Sequence, residues 1–218
     1  MKAQLDCLPC IVRQAVDAAR HSTDDPALRR AAVKAALEAL AEAPLDATPM
    51  RTGFCVHRAV ARVTGVDDPW MAAKTESNRH AMELLPSLRR LVADADDHLL
   101  TAARIAIAGN IMDFGVFATF DVEDSLQRAL DGDFGVEDFD AFRVRAKTAR
   151  RVLYIADNAG EIAFDRVLLE QMSGAHITVA VKSAPFINDA MLADAEEVGL
   201  GAVGHLIGIP PGATGAPA

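Results

Sequence analysis

From Arg151 onward the chain alternates between two rhythms in an order that few folds accommodate. "RVLYIAD" is a short apolar run that reads as a strand, and "GEIAFDRVLLEQMSG" has helical spacing and closes at Gly174. "HITVAVK" reads as a second strand and "NDAMLADAEEVGL" as a second helix. Strand, helix and strand in this order predict a right-handed crossover between parallel strands, with helices packed on the sheet. A third strand is expected at "AVGHLIGI", ahead of the breaker-rich "PPGATGAPA".

The preceding text has a different texture. From Cys7 to about Leu100 it reads as successive amphipathic helices: "IVRQAVDAARH", "DDPALRRAAVKAALEALAEA", "GFCVHRAVARVTG", "DDPWMAAKTESNRHAMELLPSLRRLVADA" and, running further, "DDHLLTAARIAIAGNIMDFG". Pro26 suits the first turn of its helix, Pro44 stops it, and Pro86 is expected to interrupt the fourth. One Trp and one Tyr among abundant Ala and Leu favour helices packed through small residues. After Gly115, "VEDSLQRALDGD" and "VEDFDAFRVRAKTA" are short helices. The expectation is an α/β protein, with a helical domain over 1–115 and a parallel-sheet domain over 116–218.

In a parallel sheet the C-terminal strand ends converge on one crevice, so Asp157-Asn158 after the first strand and "KSAPFIND" after the second should face it together. Asp157 and Asp189 are 32 residues apart, about one βαβ repeat. Two carboxylates with an amide oxygen between them form an all-oxygen set suited to Mg²⁺ or Mn²⁺. Lys182, ending the second strand, is placed to neutralise a phosphoryl oxygen. Plainer readings stand beside these: Asp157-Asn158 as a polar turn, Asn188 as the cap of a helix starting at Asp189, Glu161 as a favourable charge at a helix N-terminus, and Lys182 as a solvated strand-end lysine.

With 22 basic against 31 acidic residues the net charge is −9, which argues against nucleic acid as a partner and favours small molecules or metal ions. No apolar run approaches the roughly 20 residues of a membrane span, and "MKAQLDCLPC" lacks the apolar core of a secretory signal. A cytoplasmic location without a membrane partner is expected. "DCLPC" has the C-x-x-C spacing of half a zinc site or a redox pair. Cys55 and His57 offer further ligands, but C-x-H does not match the usual second half, and Cys55 falls on an apolar helical face.

"DCLPC", "DDPWMAAKTESNRHAMEL", "AGNIMDFG", "DNAGEIAFD" and "VKSAPFINDAMLAD" occur in the order seen in the metal-dependent damage-control phosphatases, the DUF89 domain family, which the sequence resembles from about Lys2 to Asp194. The resemblance implies a helical N-terminal domain joined to a Rossmann-like α/β sandwich. It also implies hydrolysis of small phosphorylated metabolites such as sugar phosphates, using Mn²⁺, Mg²⁺, Ni²⁺ or Co²⁺. On this basis Asp157, Asn158 and Asp189 correspond to the metal ligands, with Asp157, Asp189 and Lys182 catalytic. Glu161, Lys182, Asn110 and Asp113 correspond to positions in or beside the substrate pocket. Carboxyl methylation from S-adenosylmethionine is an alternative activity described for the family. Members usually continue into a Lys-Gly-x-x-Asn segment that has no counterpart here. A shortened sheet with an open edge, self-association, and a metal-binding interaction module of weak activity are therefore further expectations.

Overall fold

The computed structural model describes residues 2–44, 46–111, 122–132, 134–135, 137–172 and 174–210. Two compact units result. One comprises the chain up to Ala72 with Lys182–Asn188 and the segment from Ile209; the other comprises Ala73–Val181 and Asp189–Gly208.

The first unit is built on helices α1 (Cys7–Ser22), α2 (Pro26–Glu42) and α3 (Pro49–Thr64). Their starts follow from local chemistry. Asp25 accepts a hydrogen bond from the Ala27 amide and Thr48 one from the Arg51 amide, and each cap is followed by a proline whose missing N–H costs nothing in the first turn. Helix α3 stops at Gly65, which takes the left-handed conformation at φ 72°. Ala15, Ala18, Ala19, Ala32 and Ala36 let the helices approach closely around Ile11, Val56, Val60 and Trp70. That is the small-residue packing expected from the composition.

The second unit holds helices α4 (Met71–Asp94, from Ala73), α5 (His98–Ile111), α6 (Val122–Asp131) and α7 (Phe139–Thr148). Strand β1 (Arg151–Ile155), helix α8 (Glu161–Glu170), strand β2 (His176–Lys182), helix α9 (Leu192–Glu197) and strand β3 (His205–Ile209) follow, the last residues of β2 and β3 belonging to the first unit. The three strands form one sheet in the order β1-β2-β3, and β1 runs parallel to β2 with Arg151 opposite His176 and Ile155 opposite Ala180. The fold is thus mostly helical around a small sheet, in the α/β class. Helices α4 and α5, N-terminal to the expected boundary at 115, share one core with the sheet: Leu85, Leu88 and Ile105 pack in a single cluster with Phe164, Val179 and Val181.

Two expectations are corrected. Helix α4 continues through Pro86 instead of breaking there. Ala81 and Leu85 before the proline and Leu88 and Val92 after it are all buried in the same core, and burial on both sides outweighs the roughly 3 kcal/mol cost of an interior proline. Nor does Asn188 cap a helix starting at Asp189. Asp189 pairs as an extended bridge, and α9 begins only at Leu192, where the Asp194 carboxylate accepts from the Met191 amide.

Among the described residues no helix is long and apolar enough to cross a membrane.

Candidate metal and phosphate site

The site grows out of the end of β1. The ladder continues one residue past the strand, with the Ala156 amide donating to the Ala180 carbonyl, and the chain then turns through Asp157, Asn158, Ala159 and Gly160. Gly160 sits at φ 83°, a conformation that side-chain-bearing residues avoid, and this turn opens α8 at Glu161. The second loop returns to the same place. Asn158 and Asp189 form an isolated antiparallel bridge, and the Ala190 amide donates to the Asp157 carbonyl at 2.7 Å. Two residues before Asp189, Ile187 adopts φ 48°, the one non-glycine at positive φ among the described residues. A β-branched side chain there carries strain of about 1–3 kcal/mol, held by the surrounding loop.

Glu161 organises the first loop. It is buried, and its carboxylate accepts from Asn158 Nδ2 at 2.9 Å and from Asn110 Nδ2 at 3.2 Å. This bond turns the Asn158 amide nitrogen to Glu161, and the other end of the same amide is an oxygen, an acceptor by its chemistry. Asn110 reaches Glu161 because α5 and α8 meet closely at the neighbouring Gly109. A Cβ at Gly109 would lie 2.7 Å from the Phe164 Cβ.

Asp157, Asn158, Glu161, Asp189 and Asn110 are therefore brought together. Lys182 is the last residue of β2 and lies in the first unit, with its ammonium 5.9 Å from the centre of the Phe186 ring. Asp113 lies outside the described residues. Two carboxylates and an oriented amide oxygen match a hard, oxygen-preferring divalent ion, so the donor set fits the metal the resemblance implies. Among the described residues no three His, Cys, Asp or Glu side chains converge as a metal cluster, at this site or at any other, so the candidate set here rests on two carboxylates and an amide. Cys7, Cys10 and Cys55 are free thiols. His57 packs edge-on against Trp70 and Phe186, and desolvation lowers its pKa to about 4.

A second acid lies one helical turn behind Glu161. Asp165 is buried, and burial, opposed in part by a hydrogen bond from Tyr154 and reinforced by the charges of Glu161 and Asp157, raises its pKa to about 7. Burial beside Asp165 likewise raises that of Tyr154. Asn110, Tyr154, Glu161 and Asp165 help to line a cavity of about 550 Å³ in the second unit, together with Asp138, Phe139 and Phe142. Between about pH 4 and 7 the folded chain keeps a proton on Asp165 that the unfolded chain has released, so this residue makes stability fall as pH rises through that window. Asp165→Asn removes the effect. In metal-free denaturation the variant and parent should coincide near pH 4, and at pH 8 the variant should be more stable by on the order of 3 kcal/mol. Parallel stability curves across that range would contradict the assignment.

Residues 3–210 match the family profile described as the damage-control phosphatase ARMT1-like domain. The chain belongs to this family. Among the relatives of this damage-control phosphatase-like chain is a damage-control phosphatase of Pyrococcus horikoshii, 32% identical over 212 residues, covering 95% of this chain and 73% of the relative. A damage-control phosphatase of Archaeoglobus fulgidus is 32% identical over 203 residues, covering 89% and 69%. An uncharacterized protein of Methanocaldococcus jannaschii is 33% identical over 205 residues, covering 90% and 67%. The crystal structure of a DUF89 family protein from P. horikoshii superposes with a TM-score of 0.85 at 30% identity, over 95% of this chain and 74% of that one. The names of these relatives support a phosphatase, and hence hydrolase, role at the level of the family.

Sequence reasoning missed four residues of this family member's site region: Lys74, Asn78, Asp165 and Asp194. A signal existed for the first two. Lys74 and Asn78 fall on the stripe of α4 that continues as Ala81, Leu85, Leu88 and Val92, so polar side chains stand where the helical period demands burial.

Proposed function

We propose that the chain is a divalent-cation-dependent phosphatase acting on small phosphorylated metabolites, with Asp157, Asn158 and Asp189 holding Mn²⁺, Mg²⁺, Ni²⁺ or Co²⁺. The observation that carries this reading is the bridge between Asn158 and Asp189, which joins the two loops that follow neighbouring parallel strands, with Glu161 orienting the Asn158 amide. A bound cation supplies charge neutralisation for the phosphate and lowers the pKa of water. The chain's own groups do the rest. Glu161 fixes Asn158 and Asn110, the Asp157 and Asp189 carboxylates offer the negative charge that retains a cation, and Lys182 is the cationic group this reading assigns to the phosphoryl oxygens.

The direct test is turnover of an aryl phosphate and a panel of sugar phosphates by the chelator-treated protein, with each of the four ions restored separately. Hydrolysis should appear only with a divalent ion and disappear again on chelation. Turnover indifferent to chelator would remove the metal from the reading, and metal binding without turnover on any ester would remove the phosphatase.

A further inference from the structure

The loops carrying the candidate ligands are also joined from behind, through α4. Asn78 is completely buried, and its side chain makes three hydrogen bonds that leave its own helix. Its Oδ1 accepts from the Gly160 amide at 2.8 Å, in the turn that carries Asp157 and Asn158. Its Nδ2 donates to Asp194 Oδ1 at 3.1 Å and to Glu197 Oε2 at 2.7 Å, on the helix that follows Asp189. Asp194 is itself fixed: its Oδ2 accepts from the Met191 amide at 2.9 Å and lies 3.5 Å from the ammonium of Lys74, one turn before Asn78 on α4. Lys74 and Asp194 are both buried, so their charges face each other with little solvent screening.

A buried amide that satisfies a backbone donor of one loop and carboxylates following the other fixes the separation of the two loops. The ligand oxygens of a metal site must hold their spacing to within a few tenths of an ångström, and outer partners that enforce this typically matter 10–100-fold in affinity or activity. We infer that Asn78, supported by Lys74, is a positioning residue for the Asp157-Asn158 and Asp189 loops. It acts through Gly160 on one side and Asp194 on the other, without touching the cation or substrate. This inference rests on the reading of those three residues as metal ligands.

The test compares the parent chain with Asn78→Ala, Asn78→Asp and Leu88→Ala. The last is an equally buried core residue on the same stripe of α4 and serves as the control for a merely structural loss. Mn²⁺ affinity by titration calorimetry, kcat and KM on an aryl phosphate at saturating Mn²⁺, and hydrogen exchange of residues 157–161 and 189–194 are measured well below each melting temperature. Asn78→Ala should weaken Mn²⁺ binding 10–100-fold and speed exchange in both segments, with kcat falling more than KM changes. Leu88→Ala should lower the melting temperature yet keep Mn²⁺ affinity within about twofold of the parent, because it lies ten residues beyond Asn78 on α4 and leaves the hydrogen bonds to Gly160 and Asp194 in place. Asn78→Asp keeps the acceptor for Gly160 but places a third carboxylate against Asp194 and Glu197, so its faster exchange should be confined to 189–194; it decides the matter should the alanine variant not fold. Parental Mn²⁺ affinity and parental loop exchange in a folded Asn78 variant would overturn the inference. Parallel titration of Asp157→Ala separates the two failures. Mn²⁺ binding indifferent to Asp157 refutes the ligand reading, while the loop-exchange data still judge whether Asn78 positions the loops.

Discussion

Replacing Asp157 with Ala is expected to reduce metal-stimulated hydrolysis of an aryl phosphate by at least about 100-fold, the upper end of what removal of an outer partner of a metal site costs. The argument is electrostatic. Asp157 supplies one of only two carboxylates in the proposed ligand set, and an amide oxygen with the remaining carboxylate leaves a divalent ion under-neutralised. The loss should not be one of folding. Asp157 is exposed, and its charge opposes ionisation of Asp165, so its removal should leave the metal-free protein as stable as the parent or slightly more so. Parallel measurement of turnover, Mn²⁺ affinity and thermal melting separates these effects. Parental turnover in the variant would refute Asp157 as a ligand, whereas a lowered melting point with unchanged affinity would make it a structural residue.

The second large effect is expected at Phe164. This ring is fully buried between α5 and α8, and Phe164→Ala should cost about 3–5 kcal/mol, because the site cannot collapse to fill the void. The reason is the close approach at Gly109, where the helices already stand so near that a Cβ on the glycine would lie 2.7 Å from the Phe164 Cβ, an atom that Ala retains. In a domain of this size the change corresponds to a fall in melting temperature on the order of 10 °C. Activity measured well below melting should also fall, since Gly109 precedes Asn110, whose hydrogen bond to Glu161 orients the first loop. A variant that melts within about 2 °C of the parent would show that the α5–α8 contact is looser than the geometry indicates.

The strands, the crossover helix and the meeting of the loops that follow the first two strands were legible because each depends on local periodicity and on one topological rule. "RVLYIAD" and "HITVAVK" are short apolar runs bounded by turn residues, and parallel strands have to deliver their C-terminal ends to the same side. The third strand at His205–Ile209 was visible for the same reason. What the sequence concealed depends on distant partners. Asn78 looks like one more polar residue in a charged helix until Gly160 and Asp194 are brought against it. Asp165 reads as an ordinary helical acid, and only the burial of α8 turns it into a group that resists ionisation. Pro86 signals a break when taken locally, yet the core on either side of it holds α4 straight through. Asn188 followed by Asp189 resembles a helix start, but pairing with Asn158 delays the helix to Leu192.

The reach of Asn78 has a consequence for the order in which the molecule assembles. Its partners lie 82 and 116 residues further along the chain, so closing these contacts carries the entropic cost of long loops and comes late relative to the helical pairs nearby. During synthesis α4 emerges well before the loops at 157–160 and 189–191, and its Asn78 amide and Lys74 ammonium wait, hydrated, for the final third of the chain. On the proposed reading of Asp157, Asn158 and Asp189, competence to hold a cation would therefore be acquired at the end of folding, and Mn²⁺ binding would report that these long-range contacts have closed.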